Sequence, residues 1–66
     1  MKHFSKNIYL LRNIRGLTQA QIAAQLGFKS TTWNNYESGV STPILRDALT
    51  ISKFFEVSLN DLADKD

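Results

Sequence analysis

The sequence predicts an all-α domain of five short helices. Apolar residues recur at spacings of three and four along most of the chain, which is the period of helices that bury one face. Turn residues divide this pattern into short segments at Gly16, Gly27, Gly39 and Pro43. No segment shows the sustained alternation of apolar and polar residues that marks a strand. The 66 residues leave room for a single domain, residues 1–66.

The first predicted helix runs from about Phe4 to Arg15. Its apolar residues form two adjacent rows, Ile8 with Leu11 and Leu10 with Ile14. Gly16 follows at the position where a left-handed residue ends many helices, because glycine adopts a positive φ without a steric penalty.

The second predicted helix extends from Gln19 to Leu26. Thr18 is suited to cap its first turn, and Gln21, three residues later, completes a capping box. The apolar face of this helix consists of Ile22, Ala23 and Leu26. Gly27 closes the helix and is expected to turn the chain sharply towards the next one.

The third predicted helix is short, from about Ser30 to Glu37, with Trp33 and Tyr36 on its inward face. A tryptophan in this position could also be a platform on which bases of a single strand stack. The helical spacing of Trp33 with Tyr36, and the apolar face of the preceding helix, favour a place in the core instead.

The fourth predicted helix begins at Pro43, because proline is preorganised for the first helical position and lacks the amide that would be unpaired there. It extends to about Phe55, and its apolar stripe consists of Leu45, Ala48, Leu49, Ser52 and Phe55. Ser58 and Asp61 have the spacing of another capping box, which predicts a short fifth helix. The apolar residues of this fifth helix are Leu59 and Leu62.

The composition argues against several classes of function. The chain contains no cysteine, which excludes disulfides, thiolate nucleophiles and cysteine-based metal sites. We find no paired carboxylates, no Ser-His-Asp set and no glycine loop for phosphates, so we expect no catalytic residue, no cofactor and no metal. No apolar run approaches the roughly 20 residues of a membrane span. We therefore expect a soluble, cytoplasmic binding protein that is not an enzyme.

Charge is distributed unevenly along the chain, although the net charge is only +2. Residues 1–36 carry a balance of +5 from Lys2, Lys6, Arg12, Arg15 and Lys29. Residues 37–66 carry a balance of −3, with three cations against Glu37, Asp47, Glu56, Asp61, Asp64 and Asp66. This asymmetry indicates one face that attracts polyanions, although two differently solvated faces would give the same pattern.

The segment from about residue 19 to residue 38 has the spacing of a helix-turn-helix. Two short helices are separated by a glycine-containing turn, and the small Ala23 stands where the two helices must approach closely. The outward positions of the third helix are Ser30, Thr31, Asn34 and Asn35, all small and able to form hydrogen bonds. An uncharged polar face of this kind is suited to contacting base edges in a major groove.

In this segment and its flanks the chain resembles the Cro and repressor-type helix-turn-helix family, also called XRE-like regulators. The resemblance extends from about Ile8 to Leu62. Its motifs are Arg12 with Gly16-Leu17-Thr18-Gln19, Ile22-Ala23 with Leu26-Gly27, Trp33 with Tyr36-Glu37 and Gly39, Pro43, and Val57-Ser58-Leu59 with Asp61-Leu62. The resemblance implies a compact five-helix, lambda-repressor-like DNA-binding domain with a central helix-turn-helix.

The resemblance also implies roles for individual residues. The base-reading positions are Ser30, Thr31, Asn34 and Asn35, of which Asn35 is the strongest candidate for a bidentate contact with adenine. The phosphate-binding positions are Gln19, Lys29, Ser41, Thr42 and Arg46. Arg12 and Glu37 are expected to form a structural ion pair between the first helix and the end of the third.

Three positions depart from the family pattern. Lys29 stands where the family usually has Ser or Thr, which leaves Ser30 as an alternative cap of the third helix. The loop of Val40, Ser41 and Thr42 lacks the usual cations, which predicts modest electrostatic affinity. Glu56 stands where Gly or Asn often ends the fourth helix.

The expected partner is double-stranded DNA with a palindromic operator, bound by a homodimer that acts as a transcriptional regulator, specifically a repressor. The dimer contact is expected around Val57, Leu59 and Leu62. An alternative is a protein-interaction module, such as an antitoxin that neutralises a protein partner.

Overall fold

The structure, a computed structural model, describes residues 1–65. Over this range the chain forms five α-helices and no strand: α1 (Phe4–Ile14), α2 (Gln19–Leu26), α3 (Ser30–Ser38), α4 (Leu45–Phe55) and α5 (Leu59–Asp64). The predicted all-α fold class is therefore confirmed. Asp66, which belongs to the acidic half of the sequence, lies outside the described residues.

The hydrophobic core is centred on α3. Trp33 is fully buried, and α1 packs against α3 and α5 while α2 packs against α3 and α4. The core residues are Phe4, Ile8, Ile22, Ala23, Trp33, Tyr36, Ile51, Phe55 and Leu62. Trp33 is therefore a packing residue, and the alternative of a stacking platform for bases is wrong.

The ends of α1 and α2 follow the sequence signals. Gly16 has φ of +70° and follows the last turn of α1. At the start of α2, Thr18 Oγ1 accepts from the Gln21 amide at 3.0 Å, and Gln21 Oε1 accepts from the Thr18 amide at 2.9 Å. The predicted capping box is thus formed. Gly27 has φ of +75° and ends α2 at the predicted residue.

The start of α3 corrects the alternative cap. Lys29 is the N-cap residue with extended backbone, and its side chain forms no capping hydrogen bond. Ser30 is already helical, so it does not cap the helix. At the other end, α3 continues one residue past Glu37 to Ser38 before Gly39, with φ of +82°, ends it.

The predicted start and stripe of α4 are partly wrong. Ile44 is the N-cap, with φ of −67° and ψ of 159°, so the buried Pro43 precedes the helix by two residues. Leu45 is 66% exposed and Leu49 is 39% exposed. The buried face consists of Asp47, Ala48, Ile51, Ser52 and Phe55. The helix is therefore rotated about its axis relative to the prediction.

The chain between α4 and α5 contains a strained residue. Glu56 has φ of +57° and ψ of 40°, and within the described residues it is the only residue other than glycine with a positive φ. Residues other than glycine rarely adopt this backbone conformation, because their Cβ atom approaches the following carbonyl oxygen. The family preference for Gly or Asn at this position therefore has a clear physical reason.

One of the two hydrogen bonds of the predicted capping box is seen at the start of α5, where Ser58 Oγ accepts from the Asp61 amide at 3.0 Å. From α1, the side-chain amide of Asn7 donates to the carbonyl oxygens of Asp61, Leu62 and Lys65 at 2.9 to 3.2 Å. These hydrogen bonds join α1 to the C-terminal end of α5. No helix within residues 1–65 is long and apolar enough to cross a membrane.

Candidate nucleic-acid interface

Helices α2 and α3 form a fixed unit with a short turn. The Phe28 amide donates to the Ala23 carbonyl at 2.8 Å across Gly27. The Phe28 ring then meets the Tyr36 ring edge-on, with the centroids 6.3 Å apart. Because Ile22 and Ala23 are buried on the facing side of α2, the two helices approach closely. This packing fixes the angle of α3 and leaves its outer face in solvent.

The outer face of α3 carries the four predicted base-reading residues, and all four are exposed: Ser30, Thr31, Asn34 and Asn35. Within residues 1–65 their side chains form no hydrogen bond, so their donors and acceptors are directed at solvent. Ser38 is a further exposed residue of this helix that the sequence prediction omitted, and its hydroxyl donates to the Asn35 carbonyl at 3.2 Å. Its helical spacing of four residues from Asn34 would have identified it.

The predicted phosphate-binding residues lie at the ends of the elements around this face. Gln19 is half-buried as the first residue of α2, and the exposed Lys29 immediately precedes α3. Ser41 is half-buried and Thr42 is exposed in the loop after α3; the Ser41 amide donates to the Asn35 carbonyl at 3.2 Å. The loop is thereby folded back against the end of α3.

Arg46 is strongly exposed, with 82% of its side chain accessible. Its Nε lies 3.6 Å from Asp47 Oδ1, so one acidic group partly offsets its charge. Lys29 and Arg46 are therefore the two cations among the predicted phosphate-binding residues; Lys29 precedes α3 in the sequence, and Arg46 follows it in the first turn of α4.

Arg12 and Glu37 lie together and link α1 to α3. Arg12 Nη2 donates to Glu37 Oε1 at 2.6 Å, and Arg12 Nε donates to Oε2 at 3.0 Å. The side chains are only 11% and 5% exposed, and Arg12 Nη1 also donates to the Leu17 carbonyl at 2.7 Å. The hydrogen bond with Glu37 raises the pKa of Arg12, while burial acts in the opposite direction. The Arg12 guanidinium therefore stays charged at its place beside Glu37.

Trp33 joins the same carboxylate from the core. Its indole Nε1 donates to Glu37 Oε2 at 2.5 Å. Glu37 thus accepts hydrogen bonds from α1 and from its own helix, which satisfies a buried charge that would otherwise be costly. The sequence indicated Arg12 and Glu37 but not this third member.

Tyr36 and Asp47 form a second polar contact behind α3 that the sequence prediction missed. The Tyr36 hydroxyl donates to Asp47 Oδ2 at 2.6 Å, and both residues are buried. Burial, followed by the hydrogen bond to Asp47, raises the pKa of Tyr36 to about 12. The signal was present in the sequence, because a buried tyrosine hydroxyl requires a partner. The predicted stripe of α4, however, placed Asp47 outside.

Within the described residues, no group of three or more His, Asp or Glu side chains is arranged to hold a metal ion. The polar groups of the candidate interface are amides, hydroxyls and two cations. Such groups can form hydrogen bonds with base edges and neutralise phosphates.

A family model described as a helix-turn-helix domain matches residues 5–66. Among curated proteins, the chain is 37% identical over 59 residues to the HTH-type transcriptional activator BcrR of Enterococcus faecalis, covering 89% of this chain and 29% of that protein. It is 33% identical over 48 residues to the cryptic phage CTXphi transcriptional repressor RstR of Vibrio cholerae, covering 73% of this chain and 43% of that protein.

A solved structure, that of a transcriptional regulator from Listeria innocua, superposes with a TM-score of 0.82 at 29% sequence identity. The superposition covers 89% of this chain and 55% of that chain. The chain therefore spans less than half the length of both curated relatives and about half of the solved one.

Proposed function

This chain belongs to the helix-turn-helix domain family of transcriptional regulators, and from that membership we propose that it binds double-stranded DNA sequence-specifically. Helix α3 enters the major groove, and the protein has no catalytic role. The observation that carries the proposal is the outer face of α3, where four exposed polar side chains have no partner within residues 1–65. Side chains of this kind gain hydrogen bonds from base edges at little conformational cost to the fold.

The proposed base-reading residues are Ser30, Thr31, Asn34 and Asn35. The side-chain amide of Asn35 matches the N6 donor and N7 acceptor of adenine, and Asn34 is its neighbour on the same face. Residues near the start of a recognition helix reach base edges first, which assigns contacts to Ser30 and Thr31 as well.

The proposed phosphate contacts come from Gln19, Lys29, Ser41, Thr42 and Arg46. Gln19 is the first residue of α2, where unpaired amides and the helix dipole favour an anion. Lys29 and Arg46 add the two positive charges. With so few cations, we expect modest affinity and a shallow dependence on salt concentration.

The functional unit in this proposal is a homodimer on a palindromic operator, because one recognition helix covers only a few base pairs. The sequence placed the contact at Val57, Leu59 and Leu62, but Leu62 is only 1% exposed and belongs to the core. Val57 is half-buried and, with Leu62, lines a groove of about 390 Å³ between α1 and α5. We therefore move the proposed contact to this groove.

Two apolar residues of α1, Leu10 and Ile14, complete the groove on its exposed side. Ile14 is 80% exposed and Leu10 is 48% exposed, four residues apart on one face of the helix. A protruding side chain beside a groove suits a two-fold axis, because each copy then inserts Ile14 into the groove of the other. The domain measures 25 × 22 × 19 Å, a size compatible with half-sites about 34 Å apart.

The proposed outcome of binding is repression, as in the phage-encoded relative. Activation is the second candidate, because the relative from Enterococcus faecalis is named as an activator. Both names favour a DNA-binding regulator over the alternative of an antitoxin that binds a protein partner.

Selection of bound sites from random duplex DNA tests the proposal. We expect a palindromic motif in the wild-type selection. Asn35→Ala should reduce the base preference at one position of this motif and cost roughly 1–3 kcal/mol of binding free energy. Lys29→Ala and Arg46→Ala should weaken binding to all sequences about equally. Each lost phosphate contact should also lower the slope of log binding constant against log salt concentration by about 0.9. An unchanged motif with Asn35→Ala would refute the assignment of the outer face of α3.

A further inference from the structure

The outer face of α3 is notable for the chemistry it lacks. The nine residues of α3 include no Lys and no Arg. Its exposed residues are Ser30, Thr31, Asn34, Asn35 and Ser38. Guanine presents two acceptors, O6 and N7, in the major groove, and the side chains that contact both are those of Arg and Lys. Helix α3 therefore has no side chain suited to a bidentate contact with guanine.

The groups that are present match the other base pair. Adenine offers an N6 donor beside an N7 acceptor, which is complementary to the amide of asparagine. Thymine offers a methyl group, which the methyl group of threonine can contact. We infer that the base pairs contacted by Thr31, Asn34 and Asn35 of α3 in each half-site are A·T pairs, read by Asn34 and Asn35 through adenine and by Thr31 through a thymine methyl. This inference rests on the proposed function and specifies the class of operator.

The positions of these residues support a single reading surface. Thr31 is three residues before Asn34 and four before Asn35, so the three side chains are neighbours on one face. Ser38 lies one turn further on, but its hydroxyl is bonded to the Asn35 carbonyl. The reading surface therefore lies in the first two turns, which is the part of a recognition helix that reaches base edges.

The nearest cations stand outside this surface. Lys29 precedes the helix as its N-cap, and Arg46 belongs to the first turn of α4. Both are proposed to contact phosphates, which carry no sequence information directly. A contact of either residue with guanine would therefore appear at a position that does not respond to substitutions in α3.

The first experiment compares sites selected from random duplexes by the wild type, Asn34→Ala and Asn35→Ala. Asn60→Ala is the matched control, because Asn60 is an exposed asparagine of α5 on a different helix. We expect each α3 variant to lose discrimination by about 5- to 150-fold at an A·T position, while the control selects the wild-type motif. A G·C pair at a position lost with either α3 variant would overturn the inference.

The second experiment separates a major-groove contact from recognition of narrow A·T-rich DNA by its shape. Replacing adenine by 7-deazaadenine at the Asn35-dependent position removes the N7 acceptor and leaves the minor groove unchanged. We expect this replacement to weaken the wild type by a factor similar to that of Asn35→Ala, and to leave Asn35→Ala itself unaffected. An equal loss in both proteins, or none in the wild type, would overturn the inference.

A gain of specificity completes the test. Asn35→Arg places a guanidinium fork on the same position and should change the preferred base from adenine to guanine. Retention of adenine by Asn35→Arg would count against the inference. Failure of the wild type to select any motif above bulk DNA would instead refute the proposed function itself, so the two failures are distinguishable.

Discussion

Tyr36 of α3 and Asp47 of α4 share a buried hydrogen bond of 2.6 Å, and Asp47 lies on the face of α4 that is turned inward. The Tyr36 hydroxyl donates to the carboxylate of Asp47, a residue that is only 8% exposed. Because Asp47 lies in the first turn of α4, its negative charge is also favoured by the helix dipole. The contact joins the proposed recognition helix to the segment that carries Arg46.

Removal of the tyrosine hydroxyl should destabilise the domain. Tyr36→Phe leaves a buried carboxylate without its donor, and we expect the free energy of unfolding in urea to fall by about 1–3 kcal/mol. The double variant Tyr36→Phe/Asp47→Leu removes both polar partners and should recover part of this loss. Equal stability of Tyr36→Phe and wild type would show that the bond contributes nothing.

Stability should also decline at alkaline pH because of this tyrosine. Its pKa is raised in the folded state from 10.0 to about 12, so the contribution is complete below pH 10 and is lost between pH 10 and about pH 12. Tyr9→Phe leaves Tyr36 as the single tyrosine, and its absorbance titration then measures this pKa directly. A folded-state value near 10 would contradict the expectation.

Loss of the Glu37 carboxylate, which joins α1 to α3, should strongly lower the free energy of unfolding. Glu37→Ala leaves the buried Arg12 guanidinium without its carboxylate partner and with only the Leu17 carbonyl as an acceptor, at an expected cost on the order of 3–5 kcal/mol in thermal or urea unfolding. Arg12→Lys is the comparison, since it keeps the charge but loses the planar fork. A change within about 0.5 kcal/mol for Glu37→Ala is what a surface charge would give.

Glycine at the end of α4 should stabilise the domain. Glu56→Gly relieves a left-handed backbone that costs a side chain roughly 1–2 kcal/mol, although glycine adds entropy to the unfolded chain. The expected net gain in the free energy of unfolding is about 0.5–1 kcal/mol. Glu56→Ala controls for loss of the carboxylate and should give no such gain, because alanine retains Cβ.

The proposed dimer should depend on the groove between α1 and α5. Ile14→Glu introduces a charge at a residue that is 80% exposed, so the monomer should fold normally while sedimentation shows weaker association on a palindromic duplex. Leu45→Glu, at a residue 66% exposed on α4, is the matched control for association. A loss of association with Leu45→Glu alone would place the contact on α4 instead.

The sequence predicted the fold class and the bounds of α2 because its signals there were local. The capping box at Thr18 and the glycine after Leu26 act within a few residues. The orientation of α4 was not predictable in this way. Its segment contains apolar residues on two overlapping stripes, and the choice between Leu49 and Ile51 depends on a bond to Tyr36 from another helix.

The same distinction applies to the candidate interface. Exposure of Asn34 and Asn35 followed from the helical period, because Trp33 and Tyr36 fixed the inward face. The burial of Leu62 also followed from the apolar spacing of the fifth helix, whereas the exposure of Ile14 did not, because it depends on how α1 and α5 pack together.

The two faces of helix α3 have different roles: one packs in the core, and the other is proposed to contact bases. Trp33 and Tyr36 pack in the core and Glu37 accepts the hydrogen bond of Trp33, whereas Asn34 and Asn35 direct their side chains to solvent. Substitutions on the outer face should therefore alter stability by no more than about 0.5 kcal/mol. Under the proposed function, a single codon change on this face would alter the preferred operator without an intermediate that fails to fold, and regulators that share the scaffold would diverge until they no longer compete for each other's sites.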